Sequence, residues 1–175
     1  MKGQAAIEYL STYGFAILVI VIVLAVLMNL FSSIGRPEIC TVKPSGFSCG
    51  DVNPIAYVDA NNNLYVTFRF SNNQQSEIKL GKIVCLLSNN EASPNGIGTD
   101  KFKDQTIPPG SSLDISNVTC YTTDGSVAKS SEGQDVSLSV LVRYKFINDI
   151  PGAPERLAVV KIGTKVVKGT TSENH

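Results

Sequence analysis

The chain divides into two hydrophobic patterns. From Phe15 to Phe31 the residues are apolar almost without interruption, Asn29 being the polar exception. Upstream, Gln4, Glu8, Ser11 and Thr12 recur at spacings that put them on one side of a helix, beside Ile7, Leu10 and Tyr13. Together these predict one helix from Gln4 to about Ser33, roughly 45 Å long at ~1.5 Å per residue and apolar all round after Phe15. Gly14 is its weak point, open to a kink or a close helix contact. Gly35-Arg36-Pro37 supplies the stop.

Beyond that point the period changes from helical to alternating. Leu64, Val66, Phe68 and Phe70 alternate with Tyr65, Thr67, Arg69 and Ser71. Val136, Leu138, Val140, Val142, Tyr144 and Phe146 alternate with Ser137, Ser139, Leu141, Arg143 and Lys145. Ile83 to Leu87 and Leu157 to Ile162 are more continuous, as centrally buried strands are. The phase slips between Ile115 and Val118, which signals a bulge. Asn, Gly and Pro clusters separate the runs, among them Asn61-Asn62-Asn63, Pro108-Pro109-Gly110 and Asp124-Gly125. The expected fold is α+β, a long N-terminal apolar helix followed by an all-β, antiparallel, immunoglobulin-like β-sandwich headpiece. Ile107-Pro-Pro-Gly-Ser-Ser-Leu-Asp-Ile fits the turn and strand of such headpieces. No internal repeat is visible.

Charge narrows the functions. Fifteen basic residues balance fifteen acidic ones, and no Lys/Arg run is interleaved with aromatics, so nucleic acid is not expected as the primary ligand. Cys40, Cys49, Cys85 and Cys120 all lie in the alternating part. An even count behind an apolar leader segment implies an oxidising exterior and two disulfides. Of the three possible pairings, sequence alone does not choose. The expected one is Cys40 with Cys49, closing a short loop, and Cys85 with Cys120, tying two strand candidates. No C-x-x-C spacing occurs and the one histidine, His175, is terminal, so neither a metal nor another cofactor is expected.

Catalytic patterns fail on context. Gly46-Phe47-Ser48-Cys49-Gly50 spells G-x-S-x-G, but Asp51-Val52-Asn53-Pro54 is a poor helix start and no histidine base is near. Asp59-Ala60-Asn61-Asn62-Asn63 opens like a calcium loop, yet Leu64 stands where glycine is needed and Phe70 where the bidentate acid belongs. Enzymatic function is not expected. Asn117-Val118-Thr119 is the sole N-x-S/T triplet and a candidate glycosylation site.

The start of the chain carries the most specific signal. Lys2-Gly3-Gln4-Ala5-Ala6-Ile7-Glu8-Tyr9, running into the apolar block, resembles the class III signal peptide of archaeal type IV pilins. That resemblance implies a leader of residues 1–3, cut between Gly3 and Gln4 by a prepilin peptidase, and a retained helix over 4–34. The helix would anchor the precursor in the membrane and then pack with identical subunits in a filament core, with residues 35–175 as the extracellular β domain. Glu8, at the fifth mature position, would seek a partner on a neighbour, either the Gln4 amine or the Ser11 and Thr12 hydroxyls, because a carboxylate among apolar helices is costly unless paired. The implied function is a structural pilus subunit, delivered by the pilus assembly machinery to an extracellular filament and serving adhesion. Two alternatives share the same start: a monomeric membrane-anchored binding domain, and an archaellin of a rotating filament. A conventional removed signal, with Ser33-Ile34-Gly35 as its site, fits poorly because Gln4 to Tyr13 is neither basic nor apolar.

Overall fold

The structure is a computed structural model that describes residues 2–33, 39–88 and 96–169, with side chains over 13–28, 39–88 and 96–169. It falls into two compact units, Met1–Arg36 and Pro37–His175. The first is α1, Lys2–Ser33. Among the described residues the second holds nine strands: β1 Ile39–Lys43, β2 Phe47–Ser48, β3 Ile55–Val58, β4 Leu64–Asn72, β5 Ile78–Leu86, β6 Thr106–Ile107, β7 Ser112–Tyr121, β8 Asp135–Phe146 and β9 Arg156–Lys168.

The described side chains of α1 are apolar and exposed on every side of the helix, including Phe15, Leu18, Ile20, Ile22, Leu24 and Met28. Among the described residues no helix is long and apolar enough to cross a membrane, which corrects the expected transmembrane helix. Gly14 has open space around it, with no atom within 4 Å of the place a Cβ would take.

The strands correct the expected sandwich. The molecule is mostly β, and six strands close on themselves in the order β9, β3, β4, β7, β5, β8 and back to β9. Four of these contacts are antiparallel. The two that close the ring are parallel: β3 with β9 over Ala56–Val58 against Val166–Lys168, and β5 with β7 through Cys85↔Cys120 and Leu86↔Tyr121. A two-layer antiparallel sandwich would leave edges at both of these places, with unpaired N–H and C=O groups. Here the outer strand of each layer bonds to the other layer, giving a closed six-stranded barrel in place of the expected α+β pilin-like sandwich.

Side-chain alternation fills the barrel. Leu64, Val66, Phe68 and Phe70 point inward with Ile78, Leu80, Ile83, Ile115, Val118, Leu138, Val140, Val142 and Ile162. The residues that alternate with them on β4 face outward. On β5, β8 and β9 both sides are covered, because Val84, Leu86, Leu141 and Val159 form a second, outer cluster under Ile97 and Tyr121. That explains the continuous apolar runs of β5 and β9, and it buries Leu141, which stands at an outward position in the alternation of β8.

The remaining edge of β5 is satisfied by the segment leading to β6. Leu80 N–H donates to Gln105 O at 2.8 Å and Thr99 N–H to Ile83 O at 2.7 Å. Gly98 permits this approach: its φ is +110°, and a Cβ there would stand 2.7 Å from Ile83 O. Asn72, fully buried, stitches the turn after β4. Its Nδ2 donates to Ser76 O and Ile107 O, both at 2.9 Å, and its Oδ1 accepts from Gln74 N–H at 3.0 Å. Such a buried amide is affordable because every polar atom it carries has a partner.

Two disulfides fasten the barrel, Cys40–Cys49 and Cys85–Cys120. The first ties β1 to the residue after β2. The second crosses the parallel β5·β7 closure, with the Cα atoms 4.4 Å apart and both cysteines fully buried.

Candidate functional site

Two surfaces carry the candidate functional residues. One is α1. By backbone, Gly3, Gln4, Glu8, Ser11 and Thr12 belong to this helix, but their side chains lie outside the described residues, as does His175. What the described part presents is an apolar cylinder without a polar stripe: Phe15 is 70% exposed, Ile20 57% and Met28 69%. A helix that is hydrophobic all round is stable in water only where something covers it.

The other surface is the outer side of β3, β4 and β7. Strand register sets Tyr57 opposite Tyr65, and Tyr65 opposite Thr119. The two tyrosine rings stack, with centroids 5.5 Å apart and planes at 18°. Asn117 sits beside them where the β4·β7 register slips between Val66 and Phe68. Its φ is +58°, a left-handed backbone that asparagine tolerates better than most residues. Its N–H donates to Thr67 Oγ1 at 3.2 Å, and the Tyr57 hydroxyl donates to its Oδ1 at 2.6 Å. Burial, then the neighbouring Tyr65, pushes the Tyr57 phenol above its ordinary value. Burial, then the Asp59 carboxylate, does the same to Tyr65. Both therefore stay protonated at neutral pH and act as donors.

Asp59 closes the β3–β4 turn. Burial pushes its carboxyl upward, but hydrogen bonds from Asn63 and Asn61 outweigh this and hold it below the usual range. Oδ1 accepts from the N–H groups of Asn61 and Asn63, and Oδ2 from Asn63 Nδ2 and the Tyr65 hydroxyl. The calcium-loop likeness is thus a hairpin whose acid is spent on its own turn. Farther along the same face, Arg69 grips Asp114 with two bonds, at 2.6 and 2.9 Å.

The G-x-S-x-G letters fall on a short strand rather than a strand-to-helix elbow. Phe47 packs inward against Phe70 and Tyr144. Ser48 Oγ accepts from Asn73 Nδ2 at 3.0 Å, and Cys49 is half of a disulfide. Among the described residues no group of three or more His, Cys, Asp or Glu is placed to hold a metal ion. A surface depression of about 270 Å³ beside β5 is lined by Lys79, Lys103, Lys145, Asp104 and Glu155. Lys79 pairs there with Asp104 at 3.0 Å.

The triplet at Asn117 is legible in sequence, but its tyrosine partner is not, since Tyr57 lies 60 residues away. The signal available was the alternation of Tyr65, which marks it as outward-facing. Compared with known proteins, the chain matches no protein-family model and no curated protein.

Proposed function

We propose that this chain is a structural subunit of an extracellular filament of the archaeal type IV pilus kind, assembled through its N-terminal helix and used for adhesion. The observation that carries the reading is the exposed apolar surface of α1 over 13–28. Fully burying one Ile, Leu or Phe side chain contributes about 1.5–3 kcal/mol. Identical helices packed side by side would cover every face of such a cylinder at once, with no pocket or cofactor. Two further features agree with it. The Lys2-Gly3-Gln4 start with Glu8 at the fifth mature position resembles the pilin leader, and two disulfides suit an oxidising exterior.

In this reading the prepilin peptidase cuts between Gly3 and Gln4, and Glu8 finds its partner on a neighbouring helix. The barrel then coats the filament. Electron microscopy of material sheared from producing cells, with mass analysis of its N-terminus, tests it. Filaments built of this chain beginning at Gln4 are the expected result. A surface chain that begins at Met1 and never assembles would be the tethered monomer instead, and would end the proposal. Glu8→Ala is expected to be cut and exported but to assemble poorly. Normal filaments from that variant would remove the role given to Glu8.

A further inference from the structure

The outer face of β3, β4 and β7 holds an amide whose two ends are treated differently. Asn117 Oδ1 is fixed by the Tyr57 hydroxyl at 2.6 Å, while Nδ2 donates to nothing among the described residues. Asn117 is exposed, at the crest of a bulge, and it begins the triplet Asn117-Val118-Thr119. Beside it the stacked rings of Tyr57 and Tyr65 offer a half-buried aromatic surface. An aromatic ring of this kind presents an apolar body to the C–H face of a sugar and keeps a polar tip for hydrogen bonding.

We propose that Asn117 carries an N-linked glycan and that Tyr57, backed by Tyr65, is the platform on which its first sugar lies. The proposal rests on the extracellular placement given above but not on filament assembly. The donor is a lipid-linked oligosaccharide, a sugar chain joined through C1 to a polyprenyl phosphate or pyrophosphate, used by a membrane transferase. Asn117 Nδ2 attacks C1, the N–C bond forms and the C1–O bond to phosphate breaks. The lipid phosphate leaves with the bonding electron pair, and the amide proton passes to a carboxylate base of the transferase. Nothing is oxidised or reduced.

The fold also sets when this happens. Val118 is fully buried and Thr119 is paired with Tyr65 in the sheet. The triplet is therefore read before β7 enters the barrel. Cys120 follows immediately and bonds to Cys85, so transfer precedes closure of that disulfide. Once β7 docks, the sugar is brought onto Tyr57, and the glycan stabilises the seated strand.

The test takes the full chain from the surface of producing cells and maps the peptide spanning Asn117 by tandem mass spectrometry. A sugar mass on Asn117 in most copies, lost in Asn117→Gln, is expected. Bare Asn117 in a disulfide-bonded surface chain overturns the proposal even where filaments form, and glycan on a chain that never forms filaments sinks only the assembly reading. The platform is tested by melting glycosylated and enzymatically stripped chains of Tyr57→Phe and Tyr57→Leu, both of which fill the site. Removing the glycan should lower the Tm by several degrees in the parent and in Tyr57→Phe, and by far less in Tyr57→Leu. An equal loss in all three overturns the role of the ring.

Discussion

The helix and the barrel use the same kinds of side chain in opposite ways. In α1 the large apolar residues of 13–28 all face outward. In the barrel, Phe68, Phe70, Leu64, Ile115 and Ile162 are buried to within 2% or less. The barrel covers its own apolar side chains, because its strands close into a ring around them. The helix satisfies its backbone alone, while its described large apolar side chains stay exposed. The barrel therefore holds a core of its own, whereas the helix over 13–28 leaves its apolar surface uncovered.

The largest expected break in that contrast is Phe68→Ala. It opens a cavity at the centre of the barrel and should cost about 3–5 kcal/mol, read as a drop in denaturant midpoint. Next comes Cys85→Ala with Cys120→Ala, which frees a 35-residue separation. Loop-closure entropy gives about 4 kcal/mol. The same exchange at Cys40 and Cys49, nine residues apart, should cost about 2.5 kcal/mol, so the order of the two double variants is itself a check.

Acid should act on the barrel more gently. Asp124, bonded by Thr122 and Ser126, is held down at about 2. Hydrogen bonds from Lys79, Arg69 and Arg156 lower Asp104, Asp114 and Asp149 in the same way. A carboxyl whose folded value lies below its unfolded one contributes stability above about pH 4, and this is lost as pH falls through the folded value. The Tm should be level at neutral pH and decline between about pH 4 and pH 2, modestly, since these groups are exposed and screened. Residues 13–28 contain no carboxylate. Smallest of all on the barrel is Ile20→Asn, expected to shift its unfolding by no more than about 0.5 kcal/mol while reducing filament yield at least tenfold. An intact filament yield would show that this surface is not the contact.

Much of this was legible in the chain because it is local. Alternation gave the inward faces of β4 and β8, the phase slip at Ile115 and Val118 gave the bulge, and turn residues separated the strands. What closes the barrel was not legible. A parallel contact has no turn to announce it, and Ala56–Val58 meet Val166–Lys168 across most of the chain. The same four-residue strand, Ile55–Val58, is too short to stand out as alternation. Leu141 was misleading for a related reason: its cover comes from Ile97 and Tyr121, which only the folded path brings near.

β9 bonds to β1, β3 and β8, so the final strand is the common neighbour of the first, the third and the eighth. Until it arrives, β3 lacks one of its two neighbours and the ring stays open. Folding of this unit is therefore governed by contacts between distant parts of the chain and is correspondingly slow. The seating of β1 and the closure of the ring thus hang on one event, the docking of β9.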